Sequence, residues 1–452
     1  MLFFMVASKS PHILETAPIG KLLLQYSIPA IIAMTVTSLY NIIDSIFIGH
    51  GIGPLAISGL ALTFPLMNLV IAFCTLIGVG GAAISSIYLG RKDDNKATEV
   101  LHNVLFLCIV AGICFGSLTY YFLDEILIFF GASEATLPYA RDFMKVILMG
   151  NVISFLFVGL NNVMRATGYP QKAMLSSLLT VGVNLVLAPI FIFYFGWGIR
   201  GAATATILSQ TCGLFWVLKH FFSSSSYIHF KRGYYYLRIK IVAAIFSVGM
   251  APFLINVCAA AIVIVVNHSF KTYGGDLAIG AYGIVNRIAT LFLMVIIGLT
   301  QGMQPIVGYN YGAEHFDRVR QTLHRVIGVA VSIMTIGWLL SELFPISIVG
   351  MFSDDAALNG LASSGLRIAI LCFPLVGAQV VITNFFQSIG KAQISILLSL
   401  ARQLLFLLPL LYTLPYIADW NIYGVWWSMP ISDVLAFLSA VFTLKWYLRK
   451  IS

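Results

Sequence analysis

Asp44 is an acidic residue within a long apolar run that begins near Gly20. A charged side chain at the centre of a membrane helix costs roughly 2.5–3.5 kcal/mol on insertion scales, so it is kept away from lipid. We therefore expect Asp44 to face a cavity or a polar partner. Because a low-dielectric site favours the neutral form of a carboxyl, Asp44 could load and release a proton, or bind a coupling ion, near neutral pH. The alternative role is a structural hydrogen bond between two helices.

Other polar side chains lie within apolar segments in both halves of the sequence. A single Asn or Thr in a membrane helix more often bonds to a neighbouring helix than to a ligand. Several of them together with one carboxylate, however, provide oxygen atoms that suit sodium or a proton and not a transition metal. The residues that we expect to line a substrate cavity are Tyr40, Asn162, Gln210, Asn267, Asn286, Gln301, Gln304, Asn384 and Asp433.

Asp433 is a second acidic residue within a predicted span, and its role is open. Because Pro430 and Ser432 lie beside it, its carboxylate could instead satisfy backbone groups that a kink sets free. Two cations, Arg287 and Arg402, also fall within predicted spans. We expect both to extend towards the inner membrane face, with the aliphatic part in lipid and the charge in water.

The composition is that of a polytopic membrane protein. Of 452 residues, 60% are hydrophobic and only 10% are charged, whereas a soluble domain has about 25% charged residues. The length suits about twelve helices of 20–30 residues, and the short apolar stretch at residues 1–7 predicts no removable signal peptide. The six cysteines lie in apolar runs without Cys-x-x-Cys spacing and are expected to act as small packing residues. The predicted spans are 20–49, 55–89, 98–123, 136–164, 173–196, 199–222, 240–270, 277–311, 319–346, 360–388, 393–416 and 421–447.

The distribution of basic residues predicts the orientation of these spans. With the N-terminus inside, 19 of the 26 Lys and Arg residues fall in the inner segments. Such an excess marks the cytoplasmic side, so both termini are predicted to be cytoplasmic. The net charge of +9 is therefore a topology signal, and no nucleic-acid partner is expected.

The sequence repeats itself at an offset of about 222 residues. Gly80 corresponds to Gly302 and Gly90 to Gly312, and with a shift of one residue Asp44 corresponds to Asn267. We predict a six-helix bundle in residues 1–222, a cytoplasmic linker in 223–239 and a second six-helix bundle in 240–452. Six spans in each half make the repeats parallel, with a cleft between them that suits alternating access. The tyrosines and basic residues of the linker are expected to meet anionic lipid.

The motifs of several enzyme classes are missing from the sequence. There is no Gly-x4-Gly-Lys-[Ser/Thr] phosphate loop, no Gly-x-Ser-x-Gly nucleophile motif and no set of His and Glu residues with metal-binding spacing. We therefore expect no enzyme activity, no metal beyond a possible Na⁺ and no organic cofactor. Transport would be driven by an ion gradient or would be passive.

Several stretches spread over essentially the whole chain resemble the multidrug and toxic compound extrusion (MATE) family. The branch they resemble is the bacterial one with the DNA-damage-inducible F-like and staphylococcal-type multidrug pumps. The stretches are Tyr40-Asn-Ile-Ile-Asp44-Ser-Ile-Phe-Ile-Gly49, Leu160-Asn-Asn-Val-Met-Arg165-Ala-Thr-Gly168, Asn184-Leu-Val-Leu-Ala-Pro189, Gly201-Ala-Ala-Thr-Ala-Thr206 with Ser209-Gln210, and Gln301-Gly-Met-Gln304-Pro305 with Gly308-Tyr-Asn-Tyr-Gly312.

The resemblance implies an all-α membrane protein of twelve helices in two pseudo-symmetric six-helix bundles. It also implies efflux of cationic lipophilic compounds across the bacterial plasma membrane in exchange for H⁺ or Na⁺, by a chain that we expect to be monomeric. By position, Asp44 is similar to the family's first-helix carboxylate, with Asn161, Asn184 and Thr206 as its polar partners.

One departure from the family pattern concerns the charge of this ion site. Many members carry an acidic residue where this chain has Ala188. The cluster then has one formal negative charge instead of two, which favours a proton over sodium as the coupling ion.

Two other functions would need features that the sequence lacks. A lipid-linked saccharide flippase of the same superfamily usually needs more helices and an arginine-rich cavity, and only Arg287 and Arg402 lie within spans here. A membrane enzyme or a scaffold would need a group of catalytic side chains near one interface, and none is seen in the sequence.

Overall fold

A computed structural model describes residues 13–52, 54–130, 132–223, 226–231, 233, 237–352 and 355–451. Within these ranges the chain is helical without any β-strand, which confirms the predicted fold class. The helices of the N-terminal half are α1 Ile13–Thr16, α2 Ile19–Ile52, α3 Pro54–Gly90, α4 Asp94–Tyr121, α5 Leu123–Phe129, α6 Leu137–Met149, α7 Asn151–Ala166, α8 Pro170–Pro189 and α9 Gly198–Phe222. Those of the C-terminal half are α10 Ile239–Gly312, α11 Phe316–Leu343, α12 Pro345–Gly350, α13 Ala356–Ala369, α14 Phe373–Ser388, α15 Ala392–Leu400, α16 Leu408–Thr413 and α17 Asn421–Ile451.

The long helix α10 consists of two membrane spans. Gly275 has φ 68° and ψ −166°, a conformation that lies outside the helical region and is open almost only to glycine. The chain therefore reverses there between Ile239–Gly275 and Leu277–Gly312. In the other half, α2 and α3 are separate helices at the corresponding position. Ten helices of the described chain are long and apolar enough to cross a membrane, or up to twelve if each bent helix pair is one span.

Two of the predicted spans are each built from two helices that meet at an angle. The bend is 57° between α6 and α7 and 54° between α13 and α14. Gly150 separates the first pair, and a proline lies in the first turn of α14. Glycine lacks a side chain and proline lacks an N–H donor, so a helix is easily interrupted at either residue. The predicted segments 136–164 and 360–388 are thus bent and not straight.

Several helix ends meet at one end of the molecule, which we call the linker end. Tyr309, in the last turn of α10, donates a hydrogen bond from its hydroxyl to Glu15 of α1 at 3.4 Å. Tyr311 lies 3.4 Å from Tyr447 of α17, measured between their hydroxyl oxygens. The end of α3 joins the same group, because Gly90 lies directly against the backbone carbonyl of Tyr309. Helix α1 and the C-terminal end of α17 therefore lie at the same end of the molecule.

The contacts at the linker end decide how the bent pairs run. Helix α4 begins next to Gly90 and carries the chain to the far end, whereas α7 leads back to the linker end, where Tyr169 accepts a hydrogen bond from the backbone N–H of Tyr227 at 3.1 Å. In the C-terminal half, α14 ends beside Gly308, where an added methyl group would lie 3.3 Å from the carbonyl oxygen of Ser388. Each bent pair therefore crosses the molecule once, which gives twelve crossings.

The described part of the linker packs against the N-terminal half. Ile228 is 1% exposed, and the Tyr227 hydroxyl donates to Asp94 at 3.0 Å. Arg238 forms an ion pair of 2.9 Å with Glu99, which is buried in α4. Tyr227 and Arg238, which the sequence predicted to meet lipid, therefore bind protein. Arg232 and the tyrosines at 234–236 lie outside the described residues.

The two halves touch at backbone distance along α2, α3 and α10. A methyl group added at Gly298 would lie 2.6 Å from the Cα atom of Ile31, and one added at Gly302 would lie 2.5 Å from the Cα atom of Ser27. Separations of this size leave no room for a side chain, so only glycine permits the contact. Other glycines in close backbone contact between the halves are Gly80, Gly90, Gly249 and Gly312.

Candidate functional site

Three helices of the N-terminal half bring four of the predicted polar residues together. The hydroxyl oxygens of Tyr40 in α2 and Thr206 in α9 are 3.4 Å apart. The amide nitrogen of Asn184 in α8 donates to the same Thr206 oxygen at 3.2 Å. Asp44 lies one helical turn beyond Tyr40 on α2, at a spacing that places both on one face. We call Tyr40, Asp44, Asn184 and Thr206 the acidic cluster.

The acidic cluster contains two buried acceptor atoms without a donor. Within the described residues, neither the Asp44 Oδ1 atom nor the Asn184 Oδ1 atom has a hydrogen-bond partner. Asn184 itself is 2% exposed. A buried acceptor that remains unpaired costs free energy, and a buried carboxylate costs more. A proton or a cation would remove this cost, so the arrangement is suited to binding one.

Ala188 lies one turn beyond Asn184 on α8, at the position where many MATE members carry an acid. It is fully buried in an apolar group that includes Ile192 and Ala202. Asp44 is consequently the one carboxylate of the acidic cluster among the described residues. The site changes by a single charge when it takes up one proton.

The acidic cluster lies in the half of the molecule away from the linker end. Thr206 follows the start of α9 at Gly198 by eight residues, and a helix rises 1.5 Å per residue, which gives a depth of about 12 Å from the far end. Asp44 lies on α2, just beyond the candidate span Ile19–Tyr40 of that helix. Since α2 continues to Ile52, the carboxylate lies within the helix and not in a loop.

Asn161, the fourth residue assigned to the ion site by position, belongs to a different group of contacts. Its amide nitrogen donates to the backbone carbonyl of Ala173 at 3.0 Å and to the hydroxyl of Ser176 at 2.6 Å. Its oxygen accepts from the guanidinium of Arg165 at 3.2 Å. The polar atoms of Asn161 are thus engaged near the start of α8, two turns before Asn184.

Two of the cavity candidates bind across the boundary between the halves. The Gln301 side-chain oxygen accepts a hydrogen bond from Arg165 Nη1, and its nitrogen lies 3.7 Å from the Met34 sulfur. The Gln304 nitrogen donates to the carbonyl of Val79 at 3.3 Å. Both glutamines of α10 therefore contact the N-terminal half.

The remaining amide candidates bond within their own half of the chain or have no hydrogen bond among the described residues. Asn162 and Asn384, which correspond in the repeat, each donate to the carbonyl four residues earlier in their own helix, at 2.8 Å and 2.9 Å. Gln210 accepts from Ser154. The side chains of Asn267, half-buried, and Asn286, exposed, have no hydrogen bond within the described ranges.

Asp433 forms a buried ion pair in the C-terminal half. Its Oδ1 atom lies 2.8 Å from Arg402 Nε, with the Asp433 side chain 5% exposed and that of Arg402 29% exposed. Arg402 follows the start of α15 by ten residues, so it sits within the span. The prediction that Arg402 extends to the inner face is wrong, because a carboxylate inside the protein supplies its counter-charge. Arg287 is exposed, and no ion pair to it is found in the described chain.

Arg165 is the functional residue that sequence reasoning missed. Its sequence position next to a short loop suggested an inner-face cation, yet the structure buries it to 7% exposure between the halves. The spacing of Asn161 and Arg165, four residues apart on one helix, was an available signal. The long-range contact with Gln301 had no sequence signature.

Comparison with known proteins decides the family. A family model described as MatE matches residues 29–190 and 248–413, which is most of the chain and one segment in each half. The chain belongs to the MATE family. This MATE protein is similar to the "Multidrug export protein MepA" of Staphylococcus haemolyticus, with 29% identity over 429 residues, or 95% of this chain and 94% of the relative.

Solved structures agree with this assignment. The MATE multidrug transporter DinF-BH is 32% identical, with a TM-score of 0.87 over 98% of this chain and 97% of that one. An outward-facing MATE family transporter of the MOP superfamily is 24% identical and has the same fold, with a TM-score of 0.93 over 99% of both chains. This MATE protein is accordingly a bacterial membrane transporter with several membrane-spanning helices.

Proposed function

We propose that this MATE protein is a secondary multidrug efflux antiporter that exports cationic lipophilic compounds in exchange for protons. The observation that carries the proposal is the buried Asp44 Oδ1 atom without a hydrogen-bond partner in the described chain. The names of the relatives, a multidrug export protein and a multidrug transporter, support the substrate class.

Protonation of Asp44 would change the contacts of the acidic cluster. A charged carboxylate accepts hydrogen bonds only, whereas the protonated form can also donate one. The unpaired Asn184 oxygen on the facing helix α8 is an acceptor for such a bond. Proton uptake would therefore draw α2 towards α8 and reduce the space for a substrate in the N-terminal half. A carrier needs such a difference in substrate affinity between its states, because an ion that affects both states equally shifts nothing.

The single carboxylate of the site supports a proton as the coupling ion. A proton needs a single acceptor atom, whereas a metal cation needs several oxygen ligands around it. With Ala188 in place of an acid, the acidic cluster has one carboxylate, which one proton neutralises completely. Proton coupling is therefore favoured, and Na⁺ is the alternative.

The orientation and the division of the chain belong to the same proposal. Residues 1–222 and 240–452 form the two moving bundles, and 223–239 joins them. The linker end faces the cytoplasm, because the inner segments hold 19 of the 26 Lys and Arg residues. The substrate would bind in the cleft between the bundles.

The test is ethidium uptake into proteoliposomes under separately imposed pH and Na⁺ gradients. The wild-type protein is expected to respond to the pH gradient, and Asp44→Asn is expected to lose this response. Asp142→Asn is a matched control, since Asp142 pairs with Arg200 at 2.8 Å on the exposed surface. Undiminished proton-driven uptake by Asp44→Asn would remove Asp44 from the mechanism, and uptake driven by Na⁺ alone would replace the proton.

The flippase alternative gains no support from the side-chain contacts. Arg402 is paired with Asp433, and Arg165 is bound by Asn161 and Gln301. Neither guanidinium is free to hold a pyrophosphate group, and Arg287 alone does not make an arginine-rich cavity.

A further inference from the structure

Arg165 is a buried cation at the boundary between the two halves. It lies in the last turn of α7, where the helix dipole favours a positive charge. Its side chain contacts Gln301 of α10 through Nη1 and Asn161 of its own helix through Nη2. Within the described ranges, no Asp or Glu oxygen lies within 4.0 Å of the guanidinium. A buried arginine thus depends on two neutral amide groups, one in each half.

Gln301 is bound by the N-terminal half at both ends of its amide. Its oxygen accepts from Arg165, and its nitrogen lies 3.7 Å from the sulfur of Met34 in α2. Asn161 fixes the direction of the guanidinium, because its own nitrogen donates to Ser176 and to the carbonyl of Ala173. The arginine is therefore held in place before it meets the opposite half.

Close contacts at glycines lie on both sides of this bond. Gly302, next to Gln301, lies against Ser27, and Gly298 lies against Ile31, at distances that no side chain would permit. Closer to the linker end, Gly308 lies against Ser86. The bond between Arg165 and Gln301 is a charged contact of this interface, and a second one joins Arg318 Nη2 of α11 to the Ala17 carbonyl at 2.6 Å.

We propose that the Arg165–Gln301 contact is a releasable bridge that keeps the two halves closed at the linker end, with Asn161 as a positioning residue. The bridge must break each time the protein opens towards the cytoplasm. A glutamine suits this role better than a glutamate, because a buried ion pair of the same geometry would be much harder to break. The proposal rests on the transport cycle stated above.

Helices α2 and α8 connect the bridge to the acidic cluster. Met34 precedes Asp44 by ten residues on α2, and Ser176 precedes Asn184 by eight residues on α8. At 1.5 Å per residue these separations are about 15 Å and 12 Å along rigid helices. A movement of α2 relative to α8 at the acidic cluster would therefore displace the groups that hold Gln301 and Arg165.

The test measures how often the interface opens, without requiring transport. Ser86→Cys, in a variant whose six native cysteines are replaced, places a thiol at a fully buried position beside Gly308. In the full-length protein in lipid nanodiscs, a water-soluble maleimide reacts with this thiol at a rate set by the open fraction. A second reporter, Ser395→Cys, is fully buried within the C-terminal half, where Ser395 bonds to the Thr383 carbonyl.

Two substitutions of Gln301 should change the labelling rate of Ser86→Cys in opposite directions. Gln301→Leu removes the bridge and is expected to speed the labelling of Ser86→Cys about tenfold, since a hydrogen bond to a charged group changes an equilibrium constant by at least that factor. Gln301→Glu creates an ion pair and is expected to slow it. Gln379→Leu is the control, because Gln379 donates to Thr383 within α14 and does not cross the interface.

The outcomes separate this proposal from the proposed function. Opposite shifts at Ser86→Cys with constant labelling at Ser395→Cys would support the bridge, whether or not Asp44 carries protons. Unchanged rates for both Gln301 variants would overturn it. Equal acceleration at both reporters, or by Gln379→Leu, would also overturn it, because the effect would then be a general loosening of the helices.

Discussion

Removing one partner of the Arg402–Asp433 ion pair is expected to destabilise the protein strongly. The Asp433 side chain is 5% exposed and the Arg402 side chain 29% exposed. Breaking a buried pair from one side leaves an uncompensated charge, which costs about 3–5 kcal/mol. We expect Asp433→Leu, which leaves the Arg402 guanidinium without its counter-charge inside a span, to cost at least about 3 kcal/mol.

Replacing both partners should restore most of the lost stability. The double variant Arg402→Met and Asp433→Leu has no buried charge, and apolar side chains of similar volume often replace a buried pair at little cost. The matched control is Arg141 with Asp124, a pair at 2.6 Å whose side chains are 34% and 46% exposed. Asp124→Leu should change stability by no more than about 1 kcal/mol, as exposed pairs do.

The assay is reversible unfolding in mixed micelles by titration with a denaturing detergent, followed by tryptophan fluorescence. A cost for Asp433→Leu as small as that for Asp124→Leu would refute the assignment of Asp433 to a structural pair. Transport by the double variant gives a second check. A stable double variant that no longer transports would return Asp433 to the substrate cavity.

Three further substitutions test other parts of the structure. Ala188→Asp adds a second carboxyl group one turn from Asn184 on α8, so uptake should become responsive to a Na⁺ gradient, and proteoliposomes without any Na⁺ response would contradict the account of the ion site. Gly312→Val places a side chain against a backbone carbonyl of α3, which should lower the free energy of unfolding by about 1–3 kcal/mol, whereas Gly350→Val, with no atom within 4 Å of the new methyl group, should leave it nearly unchanged. Arg238→Leu leaves the buried Glu99 carboxylate of α4 without its cation, at a cost of about 1–3 kcal/mol, so trypsin should cleave the linker faster after Lys231. An unchanged cleavage rate there would show that other contacts, such as the bond from Tyr227 to Asp94, hold the linker without this ion pair.

The helix arrangement could be predicted well because its signals are local. Each span is a long apolar segment, and a membrane leaves helices as the way to satisfy the backbone of such segments. The bends at Gly150 and at the start of α14 were not predicted, since glycine and proline also occur in straight parts of membrane helices. Whether such a residue interrupts a helix depends on its neighbours, here Ile207 against Gly150.

The candidate site was predictable in part. Asp44 was found because a carboxylate in an apolar run is costly, and Asn184 and Thr206 because their positions match those of the polar partners in the family that the sequence resembles. The structure places these three with Tyr40, whereas Asn161 turns to Arg165. A sequence gives the type of each polar residue but not the direction of its side chain, which depends on the rotation of each helix about its axis.

The sequence by itself determined that this chain is a membrane protein of twelve spans, repeated in two halves, with two acidic residues, Asp44 and Asp433, that must be kept away from lipid. Hydropathy and repetition are properties of the linear chain, and they survive without any tertiary contact. Only the tertiary structure decided that Arg402 neutralises Asp433, that Arg165 reaches Gln301 in the other half and that the linker folds onto α4. These pairings join residues far apart in the sequence, and they form because a buried charge must find its partner wherever the packed helices bring one within reach.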